Sequence, residues 1–343
     1  MAGYRDFIPQ NVAIKGTRRI GIYDAQGNRV GQIPLGPLTP PVPSRRLYRF
    51  AALSDVHIDD DTSVSDLQTA LIYLNNTECV AFTCLCGDLT KNGSDTQLAQ
   101  CKSIIDEHSP NTPVYAITGN HEGITANIES RIAAYTGHPL YYSFTYGDDV
   151  FIMVGVIGGD SYSNSVVFAD GELDWLENTL KANEGKRCFV FQHIFAGVTN
   201  EPVCGNANGL YTNWCWHNSA ECVRFENLMK QYGAIWFHGH SHLRFSLQSR
   251  ADYANYSNVD GYHSIHIPSL TVPRDDENND GSYENIFGGS EGYVVDVYED
   301  GIHLRGRDFV KGEFLPIASY WLDTTLQTVA AGTYTDDTGT IVT

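Results

Sequence analysis

Five short strings constrain this chain more than anything else in it: Asp55-Val56-His57, Gly87-Asp88, Gly119-Asn120-His121-Glu122, Gln192-His193 and Gly239-His240-Ser241-His242. Most end a short apolar run, which is where an open sheet delivers side chains to one rim. Each string supplies oxygen or imidazole donors. A single tetrahedral site takes three or four protein ligands. Here Asp55, His57, Asp88, Asn120, His193, His240 and His242 arrive from five separate segments. So many donors predict a shared, bridged pair of cations, and two-metal sites chiefly activate water and clamp a phosphoryl group.

Local patterns supply the frame for those strings. Residues 47–53 read as a strand ending at Asp55 and His57. Ser65-Asp66-Leu67-Gln68 reads as a capping box opening a helix whose apolar face holds Leu67, Ala70, Leu71 and Leu74. Residues 79–86 read as a buried strand running into Asp88. Ser94-Asp95-Thr96-Gln97 reads as a second capping box, and residues 114–117 as a strand delivering Asn120 and His121. Strand, ligand, capped helix, strand is the rhythm of a sheet with crossover helices. Hairpins are expected around 147–149 and 299–301, helices at 173–180 and 222–232, and strands at 188–191 and 235–237. His238 reads as structural. Along an extended Gly-His-Ser-His, His240 and His242 would point the same way, with Ser241 opposite.

Three regions follow. Residues 1–44 form an arm, a short β-hairpin followed by a Pro-rich linker with Pro34, Pro37, Pro40, Pro41 and Pro43. A lone hairpin is barely stable in water, so the arm either straps the parent domain or docks onto another chain, giving an oligomer or a larger assembly. Residues 45–310 form the catalytic domain and 311–343 a C-terminal extension.

Charge and cysteine content exclude several classes. The net charge of −19 counts against nucleic-acid binding, which needs clustered Lys and Arg. It does not exclude a phosphate substrate, because bound divalent cations invert the field locally. Asp59-Asp60-Asp61 and Asp275-Asp276-Glu277 read as solvated loops. No apolar stretch approaches the roughly 18 residues of a membrane span, and the start lacks the apolar core of a secretory signal. The expectation is a soluble protein made in a cytoplasm, with association to a virion or surface left open. Cys79, Cys84, Cys86, Cys101 and Cys188 read as buried thiols. Cys204, Cys215 and Cys222 share one polar, aromatic stretch that leaves room for a 204–215 disulfide, although nothing else signals an oxidising compartment.

Taken in order, the five strings resemble the calcineurin-like metallophosphoesterases, whose pattern is Asp-x-His, Gly-Asp, Gly-Asn-His-Asp/Glu, His and Gly-His-x-His. The resemblance spans residues 47–310. It implies a four-layer α/β/β/α sandwich, here with a short N-terminal β-rich arm. It implies one metal held by Asp55, His57, Asp88 and His242, and a second held by Asp88, Asn120, His193 and His240, with Asp88 bridging. The ions would be Mn, Fe, Zn or Ni. A metal-bridging hydroxide would attack the phosphorus, and His121 would bind the phosphate and protonate the leaving group. The role of Glu122 stays open between orienting His121 and bonding backbone.

Departures narrow the branch. No Asp-Arg-Gly follows Gly87-Asp88, unlike the Ser/Thr protein phosphatases, and Lys91 stands where purple acid phosphatases carry a Tyr. The form Gly-Asp-Leu-Thr-x-x-Gly is similar to the cyclic-nucleotide phosphodiesterase branch, which implies a small-molecule or polymer phosphoester substrate with diesters preferred. Tyr211, Trp214 and Trp216 lie between two ligand-bearing strands, where aromatics either stack on substrate or anchor their loop. Residues 276–281 imitate half of a calcium loop, but Phe287 occupies the twelfth position where an EF-hand needs Glu. The rival reading is a structural component of an assembly, with hydrolysis secondary or lost.

Overall fold

Strands buried on both faces and helices with one apolar face set the layers of this molecule. The structure, a computed structural model, describes residues 45–160, 165–194, 220–249, 261–275 and 289–323. It also describes short strands at 18–23, 29–35, 256–257, 284–285, 334–335 and 341–342. β1 (Arg18–Tyr23) pairs antiparallel with β2 (Arg29–Leu35) in a two-stranded sheet. Next come β3 (Arg46–Leu53), α1 (Asp61–Tyr73), β4 (Thr83–Cys86), α2 (Asp95–His108) and β5 (Val114–Ile117). The short α3 (Asn120–Gly123) and α4 (Ile128–Thr136) lead to a hairpin of β6 (Tyr141–Tyr146) and β7 (Asp149–Val154). β8 (Gly158–Asp160), β9 (Ser165–Val167), α5 (Glu172–Ala182), β10 (Cys188–Gln192), α6 (Ala220–Tyr232) and β11 (Ile235–His238) follow. After β12 (Tyr256–Ser257), β13 (His263–His266), β14 (Arg274–Asp275) and β15 (Glu284–Asn285) come three long strands: β16 (Glu291–Tyr298), β17 (Gly301–Asp308) and β18 (Glu313–Asp323).

Two six-stranded sheets result, ordered β18-β17-β16-β3-β4-β5 and β12-β13-β11-β10-β7-β6. β3, β4 and β5 run parallel in the first sheet, and β7, β10, β11 and β13 run parallel in the second. Side chains alternate across each strand. In β3, Phe50 and Ala52 enter the core between the sheets, while Ala51 and Leu53 pack under α1, α2 and α4. In β7, Phe151 and Met153 face that central core, while Val150, Ile152 and Val154 meet α5 and α6. The outcome is the expected α/β/β/α order. The central layer is aromatic, with Phe151 stacked on Phe189 and Phe191 on Phe237 at centroid separations of 4.7 and 4.9 Å.

Several local expectations are corrected. α1 starts four residues before Ser65, because Asp60 accepts from Ser63 N while the Ser63 hydroxyl meets Asp60 N, closing the capping box there. The Asp59–Asp61 run is therefore partly a helix start and not simply a loop. Ser94 caps α2 as expected, but Gln97 reaches Asn92 N instead of returning to Ser94. Cys79 is exposed, in a left-handed conformation (φ 52°) after a π-helical turn, and the strand is confined to 83–86. Residues 313–323, read as part of a terminal extension, form the outermost strand of the first sheet. Cys84, Cys86, Cys101 and Cys188 are buried free thiols, and Cys222 is buried. Cys204, Cys215, Tyr211, Trp214, Trp216 and the 276–281 stretch lie outside the described residues. No helix among the described residues is long and apolar enough to cross a membrane.

Candidate metal centre

Every ligand candidate sits just past the carboxyl end of a parallel strand: Asp55 and His57 after β3, Asp88 after β4, Asn120 after β5, His193 after β10, and His240 and His242 after β11. Both sheets thus discharge onto one rim. The backbone there is unusual. Seven described non-glycine residues have positive φ, and five of them are Asp55, His57, Asp88, His240 and His242. Left-handed backbone at a residue with a Cβ costs about 1–3 kcal/mol and persists where surrounding structure enforces it. The extended Gly-His-Ser-His expected from alternation is therefore corrected. Ser241 N donates to Gly239 O in a tight turn, and His240 and His242 reach the rim by left-handed backbone rather than by strand pleat.

Side chains converge in two overlapping groups. Asp55, His57, Asp88 and His242 form one, and Asp88, His193 and His240 the other, with donor atoms in each group within 4.8 Å of one another. Asp88 belongs to both. Asn120, also buried, places Oδ1 2.9 Å from His240 Nδ1. In the first group His242 Nε2 lies 3.0 Å from both Asp55 Oδ1 and His57 Nε2. Ligands about 2.1 Å from one ion stand roughly 3–3.5 Å apart, so this spacing suits a cation between them. In the second group His193 Nε2 is fully buried with no aligned hydrogen bond, although Asp88 Oδ2 is 3.1 Å away. A buried nitrogen left in that state is what a metal ligand presents.

Outer contacts fix the rings. His193 Nδ1 lies 2.7 Å from Cys86 O, and His242 Nδ1 lies 3.0 Å from Val272 O. A backbone carbonyl taking one ring N–H leaves the other nitrogen for the ion. Close packing enforces the approach: a Cβ on Gly87 would fall 2.6 Å from His193 Cγ, and one on Gly119 would overlap Asp88 Oδ1.

Charges are strongly coupled. Burial alone would raise the Asp55 carboxyl, but the His242 and His193 rings hold it well below the usual range. Asp88 is likewise held low against burial, by His193 and His121. Burial opposes protonation of His193, yet Asp88 and Asp55 push it up to about 10. Burial and His193 push His240 down to about 3. The same two carboxylates that hold a proton on His193 here would draw divalent cations, which bind the rings in their unprotonated form.

His121 stands apart from the ligand set. Its ring is partly exposed, with Nε2 3.9 Å from Asp88 Oδ2 and Nδ1 2.5 Å from Lys91 O. Its backbone N–H donates to Asp88 Oδ1 at 2.9 Å. Glu122 is fully buried and does not touch His121. Its oxygens accept from Gly119 N on one side and from Thr90 N and Thr90 Oγ1 on the other. Of the two roles left open for Glu122, bonding to backbone is the one found. His238 is buried against Ser264, consistent with a structural role.

Sequence reasoning missed the supporting shell. Thr90 lay inside a quoted string, so its bond to Glu122 had a signal. The Lys91 and Cys86 carbonyls, His266 behind Ser241 and the hydroxyls of Ser269 and Thr271 had none.

No curated protein sequence matches the chain. Its fold is similar to that of a purple acid phosphatase from yellow lupin (Lupinus luteus) seeds, at 14% identity and a TM-score of 0.55. That alignment covers 89% of this chain and 59% of the lupin protein's length. It is also similar to GAP50, the anchor in the inner membrane complex of Plasmodium, at 16% identity and a TM-score of 0.52, with 81% of this chain and 89% of that one covered. At such identities the likeness is one of fold. Residues 48–244 match the family model of calcineurin-like phosphoesterases. With the buried Asp and His groups, that match marks the centre as a site for divalent metal ions. The chain belongs to the calcineurin-like phosphoesterase family.

Proposed function

We propose that this chain hydrolyses phosphoesters, phosphodiesters in preference to monoesters, at a pair of divalent ions joined by Asp88. Asp55, His57, Asp88 and His242 hold one ion; Asp88, Asn120, His193 and His240 hold the other. When bound, the ions supply a nucleophile from water at neutral pH and neutralise charge on the phosphoryl oxygens. The protein's own groups do the rest. The observation that carries the reading is the pair of buried ligand groups sharing one carboxylate.

His121 is the general acid in this reading. Asp88 Oδ1 takes its backbone N–H and the Lys91 carbonyl takes Nδ1–H, which leaves Nε2 on the side of the shared carboxylate. A ring so placed can hand a proton to a departing alkoxide. The diester preference is supported by the Gly-Asp-Leu-Thr form and by charge. Lys91 Nζ lies 2.5 Å from Asp59 Oδ2, so its charge is already paired, and a diester monoanion asks for less counter-charge than a monoester dianion. The metals, from Mn, Fe, Zn and Ni, are not distinguished by this donor set. Tyr211, Trp214 and Trp216 are retained as substrate contacts in the proposal. An assembly component is the second reading. A scaffold has no need of two complete ligand groups, which favours the enzyme.

The test is hydrolysis of bis-p-nitrophenyl phosphate and p-nitrophenyl phosphate by protein loaded with Mn, Fe, Zn or Ni. A higher kcat/KM for the diester is expected. No turnover of either ester with any of the four metals would sink the hydrolase reading, and faster monoester cleavage would remove the diester preference.

A further inference from the structure

Beyond residue 244, where the family match ends, the chain returns to the rim in a segment with no recognisable motif. Leaving β13, it crosses from the second sheet to the first. Leu270 N donates to Ser54 O at 3.0 Å, and Ser54 bridges Ser269 in parallel. Two side chains then turn back onto the Asp55–His57 loop. Ser269 Oγ donates to Asp55 O at 2.9 Å, and Thr271 Oγ1 donates to Val56 O at 2.9 Å. Both hydroxyls are buried. The next carbonyl, of Val272, accepts from His242 Nδ1 at 3.0 Å, and Val272 N donates to Ser269 Oγ at 2.9 Å.

These bonds share one target. Asp55 and His57 are left-handed, at φ 54° and 46°, so the peptide carbonyls between them turn away from any sheet ladder and need donors. Ser269 and Thr271 provide them. Val272 meanwhile sets the tautomer and tilt of His242. Among the described residues, no hydrogen bond of residues 269–272 reaches Asn120, His193 or His240. We infer that Ser269 and Thr271 are positioning residues for one ion only, the one assigned to Asp55, His57 and His242. The segment would then set the difference in affinity between the two ions. This rests on the dinuclear reading above.

The experiment is calorimetric titration of the full chain with Mn(II), comparing wild type with Ser269→Ala, Thr271→Val and Thr271→Ser. Loss of an outer contact to a ligand typically weakens metal binding by about 10–100-fold. Wild type should show two steps. Ser269→Ala and the near-isosteric Thr271→Val should each weaken one step by that factor and leave the other unmoved, while Thr271→Ser, which keeps the hydroxyl, should restore it. Either alanine or valine variant suffices if the other does not fold. Two wild-type steps with equal losses at both, or with no loss, overturn this inference and leave the dinuclear reading standing. A wild type with a single step sinks both.

Discussion

His121 and the seven ligand candidates are distinguished by what holds them. The ligands are buried, and several sit on left-handed backbone, whereas His121 is partly exposed on ordinary helical backbone and is held by a carbonyl at Nδ1. A group whose task is proton delivery must reach solvent and substrate. His121→Asn should therefore lower the rate by about 10²–10⁴ for esters with alkoxide leaving groups. For p-nitrophenol, which departs without a proton, the loss should be much smaller. Comparing alkyl and p-nitrophenyl diesters checks this, and an equal loss on both would remove the acid assignment. At this scale the convergence of the candidate ligands was legible, because few chemistries need Asp, Asn and His at strand ends. The Ser269 and Thr271 hydroxyls were not, since a lone serine or threonine in an irregular segment carries no mark of its long-range partner.

Elements were legible where hydrophobic period decided them and illegible where capping choices competed. Asp60-x-x-Ser63 and Ser65-x-x-Gln68 are both credible helix starts, and only the backbone bonds found at Asp60 decide between them. β18 was hidden by Pro316, which argues against a strand. The proline is tolerated because β18 is the sheet edge and its pairing with β17 shifts register between Arg305 and Arg307. The start of α5 yields a prediction. Glu172 is fully buried there. One oxygen accepts from Ala169 N at 3.0 Å and the other has no partner among the described residues. Burial pushes its carboxyl up to about 8, with Glu129 adding to the rise and the Ala169 N–H partly offsetting it. The folded state thus binds more protons than the unfolded chain between the ordinary value of 4.5 and about 8. Stability should fall as pH rises through that window. Glu172→Gln should stabilise the protein by about 1–3 kcal/mol at the upper end of the window and have little effect below its lower end. Urea denaturation at both ends measures this, and a pH-independent difference would contradict it.

At the scale of the whole molecule, the centre exists because two sheets meet at a fixed offset. Asp55, His57, Asp88 and Asn120 come from the first sheet, and His193, His240 and His242 from the second. Neither sheet alone completes either ligand group. The aromatic layer of Phe50, Phe82, Phe151, Phe189 and Phe237 locks that offset, as close-packed interiors do. Five motifs in order were enough to foresee the layered architecture, whereas the order of the first sheet turns on the pairing of β3 with β16, distant in sequence, which no local pattern encodes. A dinuclear centre here requires Asp88 to belong to two metal sites at once. Its most direct test is the number of divalent ions retained per chain, by elemental analysis after reconstitution and desalting, in wild type and Asp88→Asn. Two ions in wild type and fewer in the variant, with turnover abolished, are predicted; a wild type that holds one ion or none, or a variant that keeps two, would contradict it.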